Sequence, residues 1–208
     1  MQKYSQKKIL ALVLARKGST RLKNKNLLIL NGKPLIEWTL KKLNKKNIRK
    51  LFVDIMISTD SEKILTLSKK YDFLCPWLRP KTYSTKFSTS ESSALHALRW
   101  YEKNMKKLDG IFLFQPTSPF RMDNKIILAV KMFLKYNKQI VSVCSKNTYK
   151  FYKSSINGSI YLSPVSILKK FKNFKKKGFI PLKMNTCLEN IDIDNKFDFD
   201  HAEKLLHK

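Results

Sequence analysis

The chain has 208 residues, a length that fits one domain, and its 43 Lys and Arg against 15 Asp and Glu give a formal net charge of +28. An apolar fraction of 43% with 12% aromatics is enough for a core and argues against a disordered basic tail. The sequence contains no stretch of about 18 apolar residues, which excludes a membrane-spanning helix.

Residues 8–15 (KILALVLA) form a short apolar run leading directly into Arg16 and Lys17. Basic residues precede it, but without a small-x-small cleavage site it reads as a buried strand and not a signal peptide. Apolar positions at helical spacing over 34–46 predict a helix, with Pro34 suited to its first turn. FVDIMIST (52–59) predicts a second strand, and 61–71 a helix capped by Asp60 or Ser61. A third short strand is expected near 73–77, a helix over 90–107, a strand over 110–117, a helix over 125–136 and a strand over 139–144. The last third holds a strand at 157–164, a lysine-rich stretch at 169–177, an extended segment at 179–184 and an acidic run, NIDIDNKFDFD, entering a terminal helix. Strands alternating with helices predict an α/β fold, a three-layer sandwich around a mostly parallel central sheet. Neither an internal repeat nor a linker divides the chain.

Cys75, Cys144 and Cys187 are scattered and form no CxxC pair, so a disulfide scaffold and a zinc site fit poorly and reduced thiols in the cytoplasm fit well. The excess charge is spread through 41–50, 69–70, 103–107 and 169–177. That distribution fits a solvated lysine surface better than a nucleic-acid motif, although it attracts anionic substrates.

Ligands of parallel α/β sheets bind outside the carboxyl ends of the strands, so the polar residues just after each strand are the candidates. ARKGSTRLKNKN (15–26) carries five cations with Gly18 and Ser19; it is neither a Walker A loop nor a GxGxxG turn, and reads either as a polyphosphate grip or as a solvated turn. Alternation along Asp192-Ile193-Asp194 puts both carboxylates on one face, as a divalent cation and a phosphate would require; helix capping and charge pairing are the other reading. QPTSPF (115–120) is a proline-braced loop whose Gln115, Thr117 and Ser118 suit either a small polar ligand or simple packing. His96, His201 and His207 are too dispersed for a metal triad.

Seven segments in order resemble the acylneuraminate cytidylyltransferase (CMP-sialic acid synthetase) family: ARKGSTRLKNKN, GKPLIEWTL, ISTDSEKI, Arg79-Pro80, LFQPTSPFR, NGSIYL and IDID…DF…AE, spanning residues 8–205. The resemblance implies one Rossmann-like nucleotidyltransferase domain over 1–208. It also implies transfer of CMP from CTP to the anomeric hydroxyl of a sialic-acid-like nine-carbon sugar acid, with magnesium, in the cytoplasm, for surface glycan assembly. Arg16, Lys25, Asp192 and Asp194 would be catalytic, and Asp192 and Asp194 would hold the metal. Ala15, Arg16, Gly18, Ser19, Lys25 and Asn26 would bind nucleotide, with Ser58, Asp60 and Arg79 completing that site. Gln115, Thr117, Ser118 and Asn157 would face the sugar. A related nucleotidyltransferase for another acidic sugar, or a non-catalytic binder of nucleotide or polyanion, is the alternative.

The chain departs from the family pattern in three places. Only residues 145–156 stand where the family carries a longer dimerisation arm, so a homodimer is open. No basic residue lies just before Asn157, where Lys150 or Lys153 would have to substitute. Lys86 stands where an acidic residue is usual.

Overall fold

The computed structural model describes residues 7–144 and 156–206; of the expected arm remnant at 145–156, residues 145–155, with Lys150 and Lys153, lie outside them, and Ile156 opens a strand. Six strands build the main sheet: β1 (Ile9–Ala15), β4 (Asp54–Thr59), β5 (Gly110–Phe114), β6 (Ile140–Cys144), β7 (Ile156–Pro164) and β8 (Ile180–Met184). Their spatial order is β4-β1-β5-β7-β6-β8, and of these six β7 alone is antiparallel to both neighbours. A two-stranded ribbon of β2 (Ile29–Leu30) and β3 (Lys33–Pro34) stands apart.

Alternation along β1 divides the core, because successive side chains leave a strand on opposite faces. Ile9, Ala11 and Val13 meet α1 (Leu35–Asn44), α3 (Glu62–Lys69) and α5 (Asp123–Tyr136). Leu10 and Leu12 meet α4 (Ser90–Asn104) and α6 (Val165–Phe171) on the other side. Both faces of the sheet are therefore covered, giving the three-layer α/β sandwich. A short helix, α2 (Lys46–Arg49), follows α1 and adds Ile48 to the first face. Gly110 opens β5 against the ring of Phe133, which a Cβ would approach to 2.6 Å. The ring is fully buried there, and burial of a phenylalanine contributes about 1.5–3 kcal/mol. The terminal helix α7 (Lys196–Leu206) packs Phe199 and Ala202 onto Leu30, Leu35, Ile191 and Ile193.

Several local expectations change. Residues 73–77 form no strand: Leu74 and Leu78 make isolated bridges to Met56 and Thr59, and Pro76 between them has no N–H for a continuous ladder. Pro34 ends β3 and caps α1 instead of lying in its first turn. The helix begun near residue 90 stops at Asn104, short of 107. The lysine-rich stretch begins inside α6, launched from Pro164 with Val165 and Leu168 buried, a helix that the sequence pattern does not predict. At the cap of α3, Ser61 and not Asp60 accepts the Ile64 N–H, at 3.5 Å.

Candidate active site

The reversal of β7 places its first residues at the same edge as the carboxyl ends of β1 and β5. There they enclose a cleft of about 420 Å³. Arg16 and Ser19 come from the loop after β1, Lys25 and Asn26 from the short 3₁₀ turn that follows, and Arg79 from the segment beside β4. Gln115 and Thr117 come from the loop after β5, and Asp192 and Asp194 from the segment before α7. Three cations thus share one cleft with two carboxylates.

Local hydrogen bonds fix each of these loops. Asn26 donates to Arg16 O at 2.9 Å, closing the basic loop on itself, and Lys17 N donates to Asp60 Oδ1 at 2.7 Å. Arg79 N donates to Thr59 O at 2.6 Å and its Nε to Ser84 Oγ at 3.1 Å. Burial holds the Arg79 guanidinium below its ordinary pKa, opposed by the charge of Asp60 and reinforced by Arg16. A neighbouring anion relieves that desolvation. The 115–121 loop and the acidic segment are stitched together, since Ile193 N donates to Thr117 O at 2.8 Å and the Thr117 side chain bonds Asp192.

The two carboxylates differ. Asp194 Oδ1 accepts from Lys25 Nζ at 2.9 Å and its Oδ2 from Arg21 at 3.0 Å. Asp192 Oδ1 is shut off from solvent with no hydrogen-bond partner. Burial pushes the Asp192 carboxyl upward, the Thr117 hydrogen bond opposes the shift, and Asp194 adds to it. Asp192 thus carries an unpaired carboxylate oxygen beside the cleft that Asp194 also lines. An all-oxygen pair of this kind suits a hard divalent ion that keeps waters and shares its remaining positions with phosphates. Among the described residues no group of three or more His, Cys, Asp or Glu could hold a metal by itself.

Several expected residues lie elsewhere. Ala15 is fully buried in the core, and Gly18 is exposed, with open space where a Cβ would stand. Ser58 is buried in β4, Ser118 is buried under its own loop, and neither hydroxyl has a partner. Asp60 braces the basic loop through Lys17 instead of lining the cleft. Asn157 is buried and saturated: its Oδ1 accepts from Ser142 Oγ at 2.5 Å and from Ser159 N, and its Nδ2 donates to Asn190 Oδ1 at 2.7 Å. It fills the irregular register between β6 and β7 and has no capacity left for a sugar. Asp198 and Asn195 exchange reciprocal side chain–backbone hydrogen bonds, and Asp200 pairs with Lys196; these acids serve the helix.

Other lining residues were not anticipated. Tyr83 and the hydroxyls of Ser88, Thr89, Ser90 and Ser93 form one wall around the N-terminus of α4; the hydroxyl-rich run STSESS was the available signal. Ile156, Gly158 and Tyr161 of β7 form another. Beneath the floor, Arg121 is fully buried and donates to Ser159 O and, at 3.1 Å, to Gln115 O, with its guanidinium 5.0 Å from the Phe114 ring centroid.

A mostly parallel sheet with a basic loop after its first strand and paired carboxylates opposite is built to hold a phosphate-bearing ligand, and likeness to known proteins shows the chain to be a nucleotidyltransferase. The chain belongs to the cytidylyltransferase family, whose profile matches residues 10–154. It is 31% identical to a CMP-N,N'-diacetyllegionaminic acid synthase of Legionella pneumophila, over 96% of each protein. It is 30% identical to an N-acylneuraminate cytidylyltransferase of Escherichia coli, over 97% of this chain and 52% of that one. A solved CMP:2-keto-3-deoxy-manno-octonic acid synthetase complexed with CTP shares the fold with a TM-score of 0.71 at 11% identity, over 96% of this chain and 98% of that one. A cytidylyltransferase from Leptospira borgpetersenii does so with a TM-score of 0.67 at 17% identity, over 97% and 87%. Among the described residues, no helix is long and apolar enough to cross a membrane.

Proposed function

We propose that the chain transfers CMP from CTP to the anomeric hydroxyl of a sialic-acid-like nonulosonic acid. The hydroxyl oxygen attacks the α-phosphorus, the bond to the bridging oxygen of the β-phosphate breaks, pyrophosphate leaves with that electron pair, and the hydroxyl proton passes to solvent water. The observation that carries this reading is the cleft itself, where Arg16, Lys25 and Arg79 face Asp192 and Asp194. Similarity to the Legionella CMP-N,N'-diacetyllegionaminic acid synthase along almost the whole chain supports the sugar class.

Nucleotidyl transfer depends mainly on positioning and on stabilising charge that develops on phosphate oxygens. Lys25, mostly enclosed at the cleft floor, supplies a fixed positive charge near the α-phosphate. Arg16 and Ser19 grip the outer phosphates from the rim, and Arg79 lowers the cost of bringing a polyanion inside. Asp192 and Asp194 would hold magnesium, which neutralises phosphate charge when bound. Gln115 and Thr117, braced from below by Arg121, offer hydrogen bonds on the sugar side.

The test is pyrophosphate release with CTP, magnesium and a panel of N-acetylneuraminic, legionaminic and pseudaminic acids. Release with one sugar, lost when ATP, UTP or GTP replaces CTP, is expected. Absence of release with every sugar at saturating CTP would overturn the reading. Asp194→Asn should abolish turnover with the fold intact, as read by circular dichroism.

A further inference from the structure

Asp194 is doubly satisfied by cations. Lys25 reaches its Oδ1 from inside the cleft, and Arg21 reaches its Oδ2 from the rim, so each carboxylate oxygen already carries a charged hydrogen bond. Asp192, two residues earlier on the same face, has a closed-off oxygen without a partner. The pair is therefore asymmetric: Asp194 carries two charged hydrogen bonds, whereas one Asp192 oxygen carries none.

We infer that Arg21 is a positioning residue that exchanges partners, competing with a divalent cation for Asp194 until a triphosphate draws it away. The inference rests on Asp192 and Asp194 being the carboxylates that meet the nucleotide's divalent cation. A divalent ion approaching Asp194 meets two positive groups within hydrogen-bond distance of the oxygens it needs, and like charges repel at that range. A nucleotide triphosphate offers both cations alternative acceptors. When Arg21 turns to the phosphates, Asp194 Oδ2 is released at the moment the metal arrives on those same phosphates. Arg21 can make this move because its side chain is 69% exposed. Lys25, 11% exposed, stays within the cleft and changes partner over a shorter distance. The consequence is ordered loading: the metal enters with the nucleotide and binds the free protein weakly.

The test uses Mn2+ as the probe, followed by electron paramagnetic resonance in the absence of nucleotide, and CTP binding followed by calorimetry in EDTA. Arg21→Gln should tighten Mn2+ binding to the free protein by about two- to five-fold, the worth of an exposed ion pair, and should weaken metal-free CTP binding by a similar factor. Arg21→Lys should restore both toward wild type. Opposite signs in the two titrations are the signature of exchange; a residue that merely shapes the loop would weaken both or neither. Unchanged or weaker Mn2+ binding in Arg21→Gln overturns the inference. Asp194→Asn separates the two levels: if it weakens Mn2+ binding while Arg21→Gln leaves it unchanged, the exchange alone fails. If Asp194→Asn also leaves Mn2+ binding unchanged, the metal reading fails with it.

Discussion

Gly158 lies so close to Asp192 that a Cβ on the glycine would stand 3.0 Å from Asp192 Oδ2 and 3.3 Å from Gln115 Oε1. Its φ of +76° adds a second reason for glycine, since that region strains any residue with a Cβ. The backbone of β7 thus forms the wall against which the Asp192 carboxylate and the Gln115 amide are set. Gly158→Ala should lower kcat/KM for pyrophosphate release by about ten-fold or more, since small displacements of positioned groups are costly. It should cost only about 1–2 kcal/mol in stability. Steady-state kinetics beside urea unfolding would check it; near-wild-type turnover would show that Asp192 tolerates displacement.

Arg121 is the cation that the floor of the cleft is built around. It bonds Ser159 O and Gln115 O, and burial, opposed by the charge of Asp192, holds its pKa below the usual arginine range. Arg121→Met would remove a charged donor from Ser159 O, leave Gln115 O with the Ser118 N–H alone, and take away a buried cation near Asp192. The expected loss is about 3 kcal/mol in unfolding free energy. A urea midpoint matching wild type would refute this.

Asn157 gives a different signature. With Ser142, Ser159 and Asn190 around it, Asn157→Ala should lower stability by about 2 kcal/mol because it strands buried partners. KM for the sugar acid should stay within about twofold of wild type, as for a residue that does not touch substrate. A large rise in KM without a fall in thermal midpoint would return Asn157 to the sugar site.

Asp123 opens α5 and clasps α1 and the residue after it, accepting from Lys42 at 2.6 Å and Lys45 at 2.9 Å. Burial works to raise its pKa, but the two lysine contacts outweigh burial and the net shift is downward. A depressed carboxyl contributes stability above its unfolded pKa and loses it as pH falls through the folded value. Asp123→Asn should therefore cost about 1 kcal/mol at neutral pH and progressively less below about pH 4. Thermal melts of both proteins across pH 3 to 7 would measure the convergence; a constant difference would place the effect in packing.

Local pattern made a large part of this molecule legible. The run ILALVLA needs no context to be a buried strand, and it is β1 at Ile9–Ala15 because seven apolar residues before a polar turn have few other stable uses. The alternation in Asp192-Ile193-Asp194 likewise foretold two carboxylates on one face, with Ile193 buried on the other. Composition set the α/β class through the regular succession of strands and helices. Serial motifs also brought Arg16, Ser19, Lys25 and Asn26 forward as one loop.

Tertiary structure decided what those patterns could not encode. Pairing direction is a long-range property: nothing within NGSIYL states that β7 runs against both neighbours, yet that reversal carries Gly158 to the cleft and turns Asn157 into the core. Whether a polar side chain faces a ligand or a buried partner depends on residues distant in sequence, as Ser142 and Asn190 show for Asn157. Arg121 is hidden from local reading for the same reason, because its partners come from β7 and the end of β5. Periodicity along a chain determines which face a residue takes, but only packing between segments determines what that face meets.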